Sequence, residues 1–200
     1  NMAVVLVGDI DKTAAVTGVT AAFDGGPTSP AAPSAPPQPG GQTKQIPESV
    51  KADFNNNYLA MGFVGPPASN LEDVCAMDVL LTYLGQGYHS WLNDELKTKR
   101  GLVQEASADF VTRHDPGLVS IVASAKAGDL VKVKDAILAK LAQLDTTPVD
   151  TYDIDRAKRS LLGQYAFQNE TVGGRAGTIG FYYAVSDASF ASKYEAAVNA

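Results

Sequence analysis

Apolar residues recur along the chain with two periods, and the breaks between the runs fall on glycine, proline and short polar clusters. Met2 to Val7 is an uninterrupted aliphatic run, the pattern of a strand covered on both faces. Gly8-Asp9-Ile10-Asp11 turns the chain, and Asp9 or Asp11 can cap a helix whose apolar positions Ala15, Val16, Val19, Ala22 and Phe23 share one face. Gly25-Gly26 should end that helix. From Pro27 to Gly41 nearly every residue is Pro, Ala, Ser, Gly or Gln, which cannot bury an apolar face and predicts a surface loop. One strand and one helix are too little to hold a core, so the loop lies within a domain and does not divide two.

Thr43 to Pro47 and Asn56 to Val64 read as strands, the second alternating Tyr58, Ala60, Gly62 and Val64 against Leu59, Met61 and Phe63. After Pro66-Pro67, Ser69-Asn-Leu-Glu72 has capping-box spacing and opens a helix through Leu84, ended by Gly85 and Gly87. A shorter helix, Ser90 to Lys99, stops at Gly101. Leu102 to Thr112 and Gly117 to Ala125 are strand-like and joined by Arg113-His-Asp-Pro116, good turn chemistry for an antiparallel hairpin. Leu130 to Leu144 is amphipathic, and Thr147-Pro148-Val-Asp150 supplies a cap, a proline at the first helical position and an early acid for a helix reaching Asn169. Thr171 to Val185 and the chain from Ser189 are helical in pattern despite Gly173, Gly174, Gly177 and Gly180. Strands come in runs and helices in runs, which predicts an α+β fold with helices on one face of a mostly antiparallel sheet.

Composition narrows the function. Two hundred residues make one domain with room for a core. A net charge of −6 argues against nucleic acid as a partner. No apolar run approaches the roughly 20 residues of a membrane span, so a soluble chain is expected, its compartment left open. Cys75 is the single cysteine, which excludes an intrachain disulfide, and its place in an amphipathic helix predicts a small buried hydrophobe. The chain starts one residue before a strand and stops inside a helix-like run, the expectation for a piece of a longer protein.

Several residue groups at the joints of this order occur together: Val7-Gly8-Asp9-Ile10-Asp11, Tyr58-Leu-Ala-Met-Gly-Phe63, Leu80-Leu-Thr-Tyr-Leu-Gly-Gln-Gly87, Trp91-Leu92, Glu95-Leu-Lys-Thr-Lys-Arg-Gly-Leu102 and Asp155-Arg-Ala-Lys158. In that order they resemble the second, inactive domain of the M16 peptidases, the pitrilysin, insulinase and mitochondrial-processing-peptidase family. The resemblance implies a LuxS/MPP-like metallohydrolase fold and a single inactive domain over residues 1–200. It further implies a zinc-bearing M16 domain or subunit as partner, a peptide substrate enclosed between the two, and room for a dimer. The family's zinc motif is a helical His-x-x-Glu-His, in which two histidines on one face hold the metal and the glutamate activates water. It is absent: His89 and His114 stand in different elements, neither with a histidine four residues away. No metal or other cofactor is therefore expected in this chain, zinc being expected in the partner, and the chain alone should not hydrolyse peptides.

The family's second domain contributes an Arg after the Leu of the short helix and a Tyr seven residues later. Those positions carry Lys97 and Gln104. Lysine keeps the charge without the planar fork of a guanidinium, and glutamine keeps a donor without a phenol's reach. The resemblance thus leaves two roles: a domain that positions peptide for a zinc-bearing partner, or a structural, proteolytically inactive subunit. Other motifs carry less. Gly173-Gly-Arg-Ala-Gly-Thr-Ile-Gly180 lacks the Gly-Lys-Ser/Thr and the preceding strand of a phosphate loop and predicts close helix packing. Phe181, Tyr182 and Tyr183 predict core, and Asp150, Asp153 and Asp155 complement a helix N-terminus without the pattern of a calcium loop. Asn169-Glu-Thr171 fits a glycosylation sequon.

Overall fold

A computed structural model describes residues 2–26, 48–50 and 56–200. The predicted loop from Pro27 to Gly41 and strand from Thr43 to Pro47 lie outside the described residues. Three strands, β1 (Asn57–Val64), β2 (Val103–Phe110) and β3 (Leu118–Ala125), form an antiparallel sheet in the order β1-β3-β2. β2 and β3 are the predicted hairpin. Because side chains alternate across a strand, the pairings divide the sheet into two faces. Val119, Ile121, Ala123 and Ala125 of β3 point into the core with Ala108 of β2 and are buried, while Leu118 and Val122 of the other face are exposed.

Helix α1 (Lys12–Phe23) precedes the sheet; α2 (Leu71–Gly85) follows β1, and a π-helix (Leu92–Lys99) leads into β2. After β3 come α3 (Leu130–Thr146), α4 (Thr151–Gln168), α5 (Val172–Val185) and α6 (Ser189–Asn199). α2 is the hub, packed on β2 on one side and on α4 and α6 on the other. It buries Val74, Cys75, Val79, Leu81 and Leu84, each apolar side chain worth about 1.5–3 kcal/mol of transfer from water. Gly85 allows the contact with β2, since a Cβ there would run into the backbone nitrogen of Ala108. α3 covers β1 and β3, using Val133 and Ile137.

The chain departs from its predicted elements in four places. Met2 to Val7 is not a strand: it pairs with none of the three strands, and Met2, Val4 and Leu6 are exposed. A strand needs a neighbouring edge as well as β-branched residues, and among the described residues none meets this run. Val5 lies instead against α5, where a Cβ on Gly180 would come 3.4 Å from Val5 Cγ2. α1 forms as predicted, capped by Asp11, which accepts from the Ala14 amide at 2.7 Å, yet Val16 and Phe23 on its apolar face are exposed.

Two caps also shift. α2 is capped by Asn70 and not Ser69: Asn70 Oδ1 accepts from the Asp73 amide at 3.2 Å while its Nδ2 donates to Asp73 Oδ2 at 2.6 Å. α4 is capped by Asp150, whose Oδ1 accepts from the Tyr152 amide at 2.7 Å, leaving Thr147 and Pro148 outside the helix. In both stretches a second side chain with a carbonyl oxygen lies one to three residues downstream and wins the cap. The fourth departure, the π-helix, belongs to the site.

Candidate functional site

The short helix before β2 is wound with i to i+5 hydrogen bonds, the Arg100 amide reaching the Glu95 carbonyl at 3.2 Å. Leu92 and Leu96 anchor it, both essentially without solvent contact. At its start Asn93 Nδ2 donates to the Gly87 carbonyl at 3.0 Å and to Ser90 Oγ at 3.1 Å. The chain then reverses through Gly101 at φ 57°, a left-handed conformation that suits glycine, and enters β2. There the register breaks: Val103 faces Ala125 and Glu105 faces Ser124, so Gln104 is an extra, unpaired residue, a β-bulge that re-aims the side chains around it.

Both positions singled out by sequence therefore stand on irregular backbone, Lys97 on the π-helix and Gln104 at the bulge, and both are exposed. Lys97 lines a shallow recess of about 330 Å³ over the open face of the sheet, together with Tyr58, Asn93, Glu105, Ser107 and Val122. Gln104 is two positions from Ala106 of the same recess but does not itself line it. Among the described residues Lys97 and Glu105 are in no ion pair, so the lysine is free to meet a carboxylate or a peptide carbonyl. The floor of small and hydroxyl side chains leaves space for an extended segment.

Among the described residues no three His, Cys, Asp or Glu side chains are placed to hold a metal ion. His89 approaches Asp94 at 3.9 Å and His114 approaches Asp115 at 3.3 Å, both on the surface. Asp150 is spent as a cap, and Asp153 pairs with Arg156 at 3.0 Å. The glycine segment forms the first turns of α5; a Cβ on Gly174 would collide with the Gln168 carbonyl, so that glycine permits the tight α4–α5 corner, whereas Gly177 has open space around it. Of the aromatic trio only Tyr182 is core, stacked on Phe190 at 4.2 Å; Phe181 and Tyr183 are exposed. In the sequon, Asn169 Nδ2 donates to the Tyr165 carbonyl at 2.8 Å and Thr171 caps α5.

A second polar arrangement went unpredicted. Asp78 of α2 accepts a 2.6 Å hydrogen bond at Oδ2 from the Tyr194 hydroxyl of α6, across 116 residues of sequence. Burial lifts the Asp78 carboxyl to about 6, the Tyr194 bond pulling it partly back. Burial and then the Asp78 charge raise the Tyr182 and Tyr194 phenols; burial and then Asp78 push the Cys75 thiol up to about 12, an inert buried thiol as expected. The signal in the sequence was faint: Asp78 stands three and four residues from Cys75, Val74, Leu81 and Thr82, all on the buried side of α2.

No helix of the described residues is long and apolar enough to cross a membrane. The family model that matches, the peptidase M16 inactive domain, covers residues 1–161. The chain is 27% identical over 135 residues to an uncharacterized zinc protease of Rickettsia felis, covering 68% of this chain and 32% of that protein. It is 26% identical over 164 residues to the zinc protease PqqE of Helicobacter pylori, covering 80% of this chain and 35% of that protein. The chain thus spans about a third of the length of these curated relatives. In structure it is similar to a protease from Helicobacter pylori with TM-score 0.86 and 20% identity, over 96% of this chain and 47% of that one.

Proposed function

The chain belongs to the peptidase M16 inactive-domain family, and from that premise we propose that it is the non-catalytic half of a zinc metallopeptidase, helping to enclose and position a peptide that a zinc-bearing partner cuts. The partner, a preceding domain or a separate subunit, supplies zinc and the His-x-x-Glu-His motif that this sequence lacks. The observation that carries the reading is the placement of Lys97 and Gln104 on the π-helix and the β-bulge beside the open sheet face. Irregular backbone of this kind costs stability and recurs at binding and catalytic sites. The recess runs beside β2, whose bulged outer edge meets no other strand among the described residues, and an extended peptide can add there through main-chain hydrogen bonds.

Lys97 would neutralise a peptide carboxylate or polarise a carbonyl, and Gln104 would donate one hydrogen bond. Isothermal titration of an unstructured peptide into this domain together with its zinc-bearing half tests the proposal. Saturable binding that Lys97→Ala weakens roughly ten- to hundredfold is expected, from the about 1.5–3 kcal/mol of a hydrogen bond to a charged group. No binding and no hydrolysis by the reconstituted pair would remove it.

A structural, proteolytically inactive subunit is the second reading, and the replacement of the family's Arg and Tyr by Lys97 and Gln104 favours it. Lys97→Arg with Gln104→Tyr, in the protein paired with its zinc half, separates the two: a rise in peptidase activity marks a weakened helper, and activity that stays at zero marks a structural subunit.

A further inference from the structure

Met2 to Val7 and α1 stand apart from the rest of the domain, and neither contributes a side chain to the hydrophobic core. Val5 and Val7 are half-buried, Val5 against Gly180 of α5, whereas Met2, Val4 and Leu6 at the alternate positions are exposed. α1 buries no residue: Ala15 and Val19 are half-buried, and Val16 and Phe23 are exposed. The two apolar faces meet in one open groove of about 500 Å³, lined by Val4, Leu6, Ile10, Ala15, Val16 and Val19. Lys12 is the single charged side chain in it and is in no ion pair among the described residues. The groove shares no residue with the recess of Lys97.

Each element lacks the neighbour it needs. A helix of 12 residues is marginal by itself and draws its stability from an apolar face packed on something, and the apolar face of α1 is open. Met2 to Val7 is aliphatic throughout, and its backbone N–H and C=O groups make no hydrogen bond among the described residues. What completes both must offer main-chain hydrogen bonds to the run and aliphatic side chains to the groove, and the edge of a β-sheet does both. The sheet of this domain does not serve, because none of its strands pairs with the run. The similar Helicobacter pylori protease shares the fold over 96% of this chain, which is 47% of that one, so the same arrangement occurs where as much protein again can meet it. We propose that this arm is where the zinc-bearing half docks. Met2 to Val7 adds as an outer strand to a sheet of that half, whose aliphatic side chains fill the groove against α1 while a carboxylate meets Lys12. The proposal rests on the two-halves reading above and separates the surface that joins the halves from the one that holds peptide.

Amide hydrogen exchange in the assembled protein, this domain together with its zinc-bearing half, reads the docking directly. The amides from Val4 to Leu6 should exchange about a hundredfold or more slower than those of an unpaired exposed chain. Val4→Glu and Leu6→Glu, at exposed positions and with an unchanged urea midpoint for the domain, should each weaken association of the halves about tenfold or more by burying an unpaired carboxylate. Lys12→Glu should weaken it several-fold, and Phe167→Glu, on α4 outside the groove, should leave it unchanged. Fast exchange from Val4 to Leu6 in an assembly that hydrolyses peptide would overturn the docking and leave the peptidase reading standing. Slow exchange there in an assembly that neither binds nor cleaves peptide would support the docking and remove the peptidase reading alone. Association untouched by Val4→Glu and Leu6→Glu would also overturn it. So would protection that this domain gains by itself as its concentration rises, which assigns the groove to a second copy of the chain.

Discussion

The sheet side and the helix side of α2 treat polar side chains in opposite ways. Over the sheet, Lys97 and Gln104 ride on a π-helix and a β-bulge, exposed and with no ion pair among the described residues. Among the helices, Asp78 and its tyrosines sit on regular α-helical backbone, and Asp78 is tied to Tyr194 at 2.6 Å. The first region keeps its side chains available and holds the backbone in place from beneath, through Leu92 and Leu96. The second fixes the side chains themselves. Substitutions on the sheet side should therefore alter binding with little effect on folding, whereas the helix side should couple folding to protonation.

The strongest test of that contrast is the anchor under the π-helix. Leu96→Ala removes a side chain with no solvent exposure and should cost about 2–5 kcal/mol, read as a lower urea midpoint. A loss under 1 kcal/mol would mean that the π-helix is not held from below. Next is the pH dependence of Asp78. Its folded value of about 6 lies above the ordinary 3.8, so the folded state binds the proton more tightly. The associated stability is present below pH 3.8 and is lost as pH rises through about 6. The stability of the protein relative to its Asp78→Asn variant should drop by roughly 2–3 kcal/mol between pH 3.5 and 7.5, measured by urea unfolding. A difference that is flat with pH would place Asp78 in water.

Smaller effects sharpen the comparison. Asn70→Ala deletes the cap of α2 and should cost about 1 kcal/mol, whereas Ser69→Ala should cost almost nothing. Smallest of all, Lys97→Ala and Gln104→Ala should each shift the unfolding free energy by less than about 0.5 kcal/mol, being exposed and off the core. A larger shift would mean that these residues hold the fold and are not kept for a ligand.

Much of this architecture was legible because local signals and burial agree. The alternation of Tyr58 to Val64, the turn at Arg113 to Pro116 and the apolar stripe from Leu130 to Leu144 each led to the right element. Met2 to Val7 was misread because its β-branched run says nothing about whether an edge is there to pair with it. Ser69 and Thr147 do not cap because the helices start later, at Leu71 and Thr151, where Asn70 and Asp150 accept from the Asp73 and Tyr152 amides. The π-winding of Leu92 to Lys99 has no hydrophobic period of its own, so the backbone under Lys97 could not be foreseen. The Asp78–Tyr194 bond joins helices 116 residues apart and leaves only an acid on an apolar face as its trace.

The central claim, a domain that cannot cut by itself but serves a zinc-bearing partner, is tested most directly by peptide hydrolysis. Rates are measured for this domain alone, for its zinc-bearing half alone, and for the two mixed. The account predicts no hydrolysis by this domain and a mixed rate well above that of the zinc half, with a lower KM that Lys97→Ala raises again. Hydrolysis by this domain alone, or a mixed rate no greater than that of the zinc half, would contradict it.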